Sequence, residues 1–204
     1  MAGARAKPTR GFLLQLKRRV GFIEEGYKLL EMKRDELAKE LRSDLEELSS
    51  RRIGFEEKVE EALDAVARMY ASLGSLEASS WTNPEKKLEL EVLPKSVMGI
   101  PVPYVKVLHM PEVTNRFSPV VRAAAQRIYG ILSDLISVAE LEARIERVAE
   151  DLEKTNRQVN ALEKIVIPSY RRTIKYIEDM LEEAMLEEFT RTKFVKALLS
   201  RRKT

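Results

Sequence analysis

From residue 13 onward, apolar side chains recur at alternating steps of three and four: Leu13, Leu16, Val20, Ile23, Tyr27 and Leu30, then Leu37 and Leu41. A second series runs through Phe55, Val59, Ala62, Val66, Met69, Leu73 and Leu76. A third occupies the C-terminal part: Val121, Ala124, Ile128, Ile131, Leu135, Val138, Leu141, Ile145, Val148, Leu152, Thr155, Val159, Leu162 and Val166. Steps of three and four place one stripe on one face of a helix and define the seam of a coiled coil. At about 1.5 Å per residue each segment reaches on the order of 90 to 100 Å, and neither buries its stripe alone. The pattern predicts a mainly α protein built as a long antiparallel two-helix coiled coil. Its helices are the N- and C-terminal segments, residues 1–78 and 118–204, with both termini at one end and a connector at 79–117.

The seam is imperfect in ways that carry information. Leu37, Leu41 and Leu45 are separated by two steps of four, a stutter that unwinds a left-handed supercoil locally, and Arg34 and Arg52 stand at seam positions. A second slip follows Val166, where steps of four run through Tyr170 and Ile174 before Ile177 and Leu181 restore the alternation. Pro168 lies inside that slip. Proline removes a backbone hydrogen bond and crowds the preceding turn, so Pro168 is expected to bend the helix, the alternative being a break with a second short helix beyond. Gly21, Gly26, Gly54 and Gly130 also sit within helical pattern, each costing up to about 1 kcal/mol against alanine, either as drift or where backbone passes close to a neighbour. Ser118 followed by Pro119 has the form of an N-cap and first helical residue.

The connector has a different period. Six of the eight prolines fall between Pro84 and Pro119. Leu88, Leu90 and Val92 alternate with Glu89 and Glu91, and Val105 and Val107 flank Lys106, which reads as a short β-hairpin insert at the helix-connecting end. Residues 94–103, PKSVMGIPVP, are expected to form a loop longer than a two-residue turn, bent at Gly99. Glu89 and Glu91 on one strand are placed to face Lys106 on the other.

Composition then narrows the function. Charged residues are 34% and aromatics 6% of 204 residues, with 36 Lys and Arg against 33 Asp and Glu, which suits amphipathic helices rich in surface charge. Cysteine is absent, which removes disulfides and thiolate metal sites. No apolar run approaches the roughly 20 residues that span a bilayer, and no signal peptide is evident. Phosphate-loop and dinucleotide fingerprints are missing, and His109 is the sole histidine, so no catalytic residue, cofactor or metal site is assigned. Glu178 and Glu182 share a helical face, within a run of acids that reads as a solvated face.

Charge is concentrated at the ends. Lys7, Arg10, Lys17, Arg18 and Arg19 lie near the start, and Arg191, Lys193, Lys196, Arg201, Arg202 and Lys203 near the finish. An antiparallel pair brings these together as one basic tip. Cations at a helix C-terminus are stabilised by its dipole, but those at the N-terminal end oppose it, which points to an acidic partner.

Three stretches together resemble a known family. PTRGFLLQLKRRVGFIEEGYKLLEMKRDEL, residues 8–37, looks like the N-terminal signature of the D subunit of the archaeal A-type and vacuolar-type rotary ATPases, through Pro8, Thr9, Gly26, Leu29, Leu30, Lys33, Arg34, Asp35 and Leu37. Val97, Met98, Gly99, Ile100 and Pro103 are similar to its central hairpin. Arg157, Val159, Asn160, Ala161, Leu162, Glu163, Ile167 and Pro168, continuing to Ile174, Tyr176 and Ile177, resemble its C-terminal signature. Ser169 to Arg172 depart from the family's pattern.

The resemblance implies a non-catalytic central-stalk rotor shaft. Its terminal helices would enter the ring of catalytic and non-catalytic nucleotide-binding subunits, A and B, with the basic residues as the bearing. The middle would bind the small F subunit, and the hairpin would face the d-type C subunit, which connects to the membrane rotor. Val97, Met98, Gly99, Ile100 and Pro103 would then form a coupling element, and Pro168 a bend that makes the shaft asymmetric. The resemblance also implies a place at the cytoplasmic face of the cell membrane, with membrane contact only through the complex and no nucleic-acid partner. Two other readings of the residues stand beside it. One is a prefoldin-like chaperone subunit, which would expose apolar residues at the helix tips; the other is a basic coiled-coil adaptor on nucleic acid or anionic lipid.

Overall fold

A computed structural model describes residues 9–80, 87–111, 113 and 118–201. In chain order these form helix α1 (Arg10–Ser80), strands β1 (Glu89–Val97) and β2 (Ile100–His109), helix α2 (Pro119–Ala161), a π-helical turn (Leu162–Val166) and helix α3 (Ile167–Arg201). Two compact units result. One joins the chain up to Asp35 with the chain from Lys154 onward, and the other is Glu36–Glu153.

In the first unit the start of α1 runs antiparallel to α3. Cross-helix contacts fix the direction: Arg10 to Met185, Lys17 to Glu178 and Glu24 to Arg171, one number rising as the other falls. The buried positions are Leu16 and Val20 on one side and Thr155, Val159 and Ile177 on the other, as the alternating steps predict, together with Ile167, which stands off that series. Thr9 opens α1 by accepting a hydrogen bond from the Phe12 N–H at 3.3 Å, satisfying one of the donors a helix start leaves free.

Pro168 does not break the helix. The backbone widens into a π turn just ahead of it, and the Ile167 N–H donates to the Leu162 carbonyl, five residues back instead of four. The wider turn relieves the crowding of the proline ring against the carbonyl before it, and the backbone donor that proline lacks is absorbed where the pattern is already shifting. A π turn inserts one extra residue. Val166 and Ile167 therefore both approach the seam, half-buried and buried respectively, which is the physical origin of the steps of four seen in the sequence. The helix continues to Arg201, so the alternative of a separate short helix does not hold.

In the second unit the rest of α1 pairs with α2, again antiparallel, through Lys58 to Asp134 at 2.6 Å and the Arg127 guanidinium to the Glu61 carbonyl at 3.2 Å. Ser118 caps α2, its hydroxyl accepting from the Val121 N–H at 3.4 Å. The predicted seam fails at two points of α1. Leu45 is exposed and Asp44, one residue earlier, takes the buried position. Leu76 is 88% exposed, because Gly74 leaves the helical conformation with φ 77° and ψ 163°. That backbone region is accessible essentially to glycine alone, and it turns the last residues of α1 so that Ala78, not Leu76, packs with Met69, Val121 and Ala124. Glycines 21, 26, 54 and 130, by contrast, have nothing within 4 Å of where a Cβ would stand, so no neighbour among the described residues requires them.

The hairpin is tighter than the sequence suggests. Met98 and Gly99 alone make the turn, both with positive φ (51° and 82°), the conformation a two-residue hairpin turn demands. Residues 94–97 and 100–103, expected as loop, are strand. The prolines permit this because pairs alternate: with Val97 and Ile100 closing the turn, Pro94 opposite Pro103 and Pro101 opposite Ser96 fall at positions whose nitrogens point away from the ladder. Glu91 stands opposite Lys106 as expected, and Glu89 meets His109 at 3.3 Å. The turn end lies alongside the helices, where Ile100 and Val102 are buried with Leu37 and Val148, and Val97, Leu41 and Leu152 pack around them.

Replacing Gly74 by alanine forces a Cβ into this region and is expected to lower stability by about 1–3 kcal/mol. Gly54→Ala, in open helical surface, should raise it by about 0.5–1 kcal/mol. Thermal melts of the two single variants check the pair, and Gly74 is misassigned if both move the same way.

Candidate functional site: an exposed helix end and a buried charge cluster

The residues expected to form a basic tip divide between α1 and α3 of the first unit. Lys7 lies outside the described residues, as do Arg202 and Lys203. Arg10 lies against Met185, its Nη2 2.7 Å from the sulfur. Lys17 bonds to Glu178 Oε1 at 2.5 Å, so Glu178 is a cross-helix partner and not part of a purely solvated acidic face. Arg191 is held by Glu187 one turn before it. Arg18, Arg19, Lys193 and Lys196 are exposed, and none has an ion-pair partner among the described residues.

Charge alone does not disclose the apolar content of the same end. Every residue of α3 from Glu182 to Arg201 is exposed. Among them are Met185, Leu186, Phe189, Phe194, Val195, Leu198 and Leu199, with Phe189 at 69% and Phe194 at 65% exposure. Beside Met185 and Phe189 an open recess of about 550 Å³ is lined also by Arg10, Glu182 and Thr192. An apolar surface of this kind on a helix end, rimmed with charge, is a surface built to be covered. Its signal is present in the sequence as the run FTRTKFVKALL, where apolar residues continue past the last acid. The end of α3 therefore carries apolar and basic residues together, an apolar content that the charge layout by itself does not show.

The hairpin residues expected to serve in coupling have unequal surroundings. Val97 and Ile100 face the helices, Pro103 borders a cavity beside them, and Met98 stands exposed at the turn.

A second cluster has no counterpart in the sequence pattern. Arg144 of α2 reaches across to two acids of α1, its Nε standing 3.0 Å from Asp44 Oδ2 and its Nη2 bonded to Glu40. Asp44 is 3% exposed, in a seam position that an apolar residue would ordinarily take. Burial pushes its carboxyl above the ordinary carboxylate value, and neighbouring Glu40 and Glu47 add to this while Arg144 opposes them. Arg34, the seam arginine noted in the sequence, is half-buried and bonds to Asp35 at 2.7 and 2.9 Å, whereas Arg52 is exposed and pairs with Glu56. Among the described residues no group of three or more His, Asp or Glu side chains is arranged to hold a metal, and no helix is long and apolar enough to cross a membrane.

Helices paired antiparallel across a hairpin insert, with an exposed apolar and basic end, define a helical component of a larger assembly. The family model described as the D subunit of ATP synthase matches residues 12–197, and the chain belongs to that family. It is 39% identical to the A-type ATP synthase D subunit of Pyrococcus abyssi, over 97% of this chain and 96% of the relative. It is 38% identical to that of Pyrococcus furiosus over 98% and 97%, and 34% identical to the V-type ATP synthase D subunit of Clostridium novyi over 98% of each.

The Arg144 cluster yields a test with a definite sign. Arg144→Met strands a buried carboxylate and is expected to cost about 3 kcal/mol. Asp44 is different. Its native pKa lies above the unfolded one, so the charged carboxylate subtracts from stability at neutral pH, and the subtraction fades as pH falls through the native pKa. Asp44→Asn should therefore melt at or above the parent at about pH 7, with the gap closing toward about pH 4, the ordinary carboxylate range. Melting curves across that range check it, and a variant that is less stable at neutral pH would contradict the assignment.

Proposed function

We propose that this chain is the central-stalk rotor of a V/A-type rotary ATPase, coupling ATP synthesis or hydrolysis in a ring of catalytic and non-catalytic subunits (A and B) to proton or sodium transport. The reading extends family membership by one observation: the end of α3 from Glu182 to Arg201 is wholly exposed while carrying two phenylalanines, two leucines beyond them and the cations Arg191, Lys193 and Lys196. Such a helix end is costly in water unless another protein surrounds it. Inside a ring, apolar side chains supply contact without fixed hydrogen-bond partners, which suits a bearing that must leave one set of contacts for the next. The cations Arg18, Arg19, Lys193 and Lys196, which have no ion-pair partner among the described residues, would meet acidic residues on the ring. In this role the chain is non-catalytic. Rotation presents each ring site with a different face in turn, and each site's open or closed state follows the contacts it receives.

An F subunit on the helix pair, a d-type C subunit toward the membrane rotor, and a peripheral place at the cytoplasmic face of the cell membrane complete the proposal. Pro168 with its π turn would then act as the bend in the shaft, and Val97, Met98, Gly99, Ile100 and Pro103 as the coupling element.

Reconstitution tests this directly. The purified chain should bind a cognate ring that lacks its shaft and restore rotation-coupled ATP hydrolysis. Phe189→Ser with Phe194→Ser, and separately Arg18→Glu with Arg19→Glu, should each weaken ring binding by about tenfold or more, equal to about 1.4 kcal/mol, with little change in helix content. Unchanged ring affinity in both would refute the bearing. Suppression of client aggregation at low stoichiometry, without ring binding, would instead favour the chaperone reading that the exposed phenylalanines leave open.

A further inference from the structure

We propose that the hairpin is a detachable strap, whose turn end docks on and lifts from the helix pair of its own unit, and that the Asp44–Arg144 pair beside the docking pad keeps this docking reversible. The pad is small and confined to one end. From Glu89 to Ser96 β1 is exposed throughout, and only Ile100 and Val102 of β2 are buried. Those two, with Val97, rest on Leu37, Leu41, Val148 and Leu152. Among the described residues, the polar contacts of the hairpin's own side chains, His109 to Glu89 and Lys95 over the Tyr104 ring at 5.8 Å, are internal to it.

Next to the pad the hairpin and helices part around a cavity of about 170 Å³. Its walls carry Arg51, Lys95, Glu140 and Arg144, with Val97 and Val102 at the edge of the pad. A space of that size with charged walls holds water. The hairpin is thus bound by a few apolar side chains at its turn while charged groups stay wet alongside.

Arg144 connects the two regions. It borders the cavity together with hairpin residues and also holds the buried Asp44 and the half-buried Glu40. Docking brings the hairpin over Arg144, whose side chain keeps only 30% of its exposure at the cavity wall, and this partial desolvation of the arginine that holds Asp44 opposes docking, while burial of Ile100 and Val102 favours it. Opposed terms of this kind leave a small net preference, the condition for a segment that opens below the threshold of global unfolding. Were Asp44 and Arg144 both apolar, only the favourable term would remain and the strap would lock.

The chain has no cysteine, so single introduced thiols report the motion cleanly. Val102→Cys places a thiol on the buried face of the strap. Val159→Cys places one at a fully buried position between the helices of the first unit, which opens only when helices part. In the full-length chain, Val102→Cys should react with a maleimide about a hundredfold faster than Val159→Cys, as sub-global opening precedes global opening. Adding Asp44→Leu and Arg144→Leu together should slow Val102→Cys by about tenfold while leaving Val159→Cys unchanged. Should Val102→Cys fail to fold, Ile100→Cys reads the same face. Equal labelling at the strap and Val159→Cys overturns the proposal, as does an unchanged strap rate in the doubly apolar background.

Discussion

The constraint on which the rest depends is that each long segment carries one apolar stripe with no means of covering it alone. Burial of that stripe is available only from the other segment, and within each unit the cross-helix contacts set the pairing as antiparallel. Cross-helix contacts such as Lys17 to Glu178 and Lys58 to Asp134 are exposed and individually worth at most about 1 kcal/mol. They report the direction of pairing rather than enforce it. The side chains that enforce pairing are those such as Val148, Val159 and Ile177, which lose nearly all contact with water.

Within that pairing, two devices keep the stripe facing inward where the sequence drifts from a regular repeat. At Pro168 the backbone absorbs an extra residue as a π turn, so that Ile177 still reaches the interior. Near Asp44 the seam instead accepts a polar residue and neutralises it from across the interface. The two solutions differ in cost. The π turn exchanges one hydrogen-bond pattern for another, while the Asp44–Arg144 pair trades desolvation for charge attraction and gains in alignment, since an arginine on α2 can stand beside both Glu40 and Asp44 only when the helices are in one register.

Helix pairing, the hairpin and the phase slip at Pro168 are legible in the residues because each rests on periodicity, and periodicity is a local property. Leu76 and Leu45 are misplaced by it for reasons that no repeat can show. Gly74 sits at a position where a helix tolerates glycine, and only its observed φ reveals a turn. Asp44 looks like a surface acid until its partner, a hundred residues away in the chain, is seen beside it. The hairpin turn looks too long in the sequence because prolines suggest loop, although in a two-stranded ribbon half of the strand positions need no donor. At the C-terminal end the charges stand out and the interleaved phenylalanines do not, since an apolar residue in a helical repeat is ordinarily assigned to the core.

Those prolines also bear on what the open edges of the ribbon can do. A two-stranded ribbon has two open edges, and exposed Leu90, Val92 and Val107 on its surface would make it an inviting template for strands of other chains. Pro94 on one edge, and Pro101 and Pro103 on the other, withhold the donors that an incoming strand would need. The ribbon therefore keeps apolar side chains exposed while refusing the backbone ladder by which ribbons polymerise.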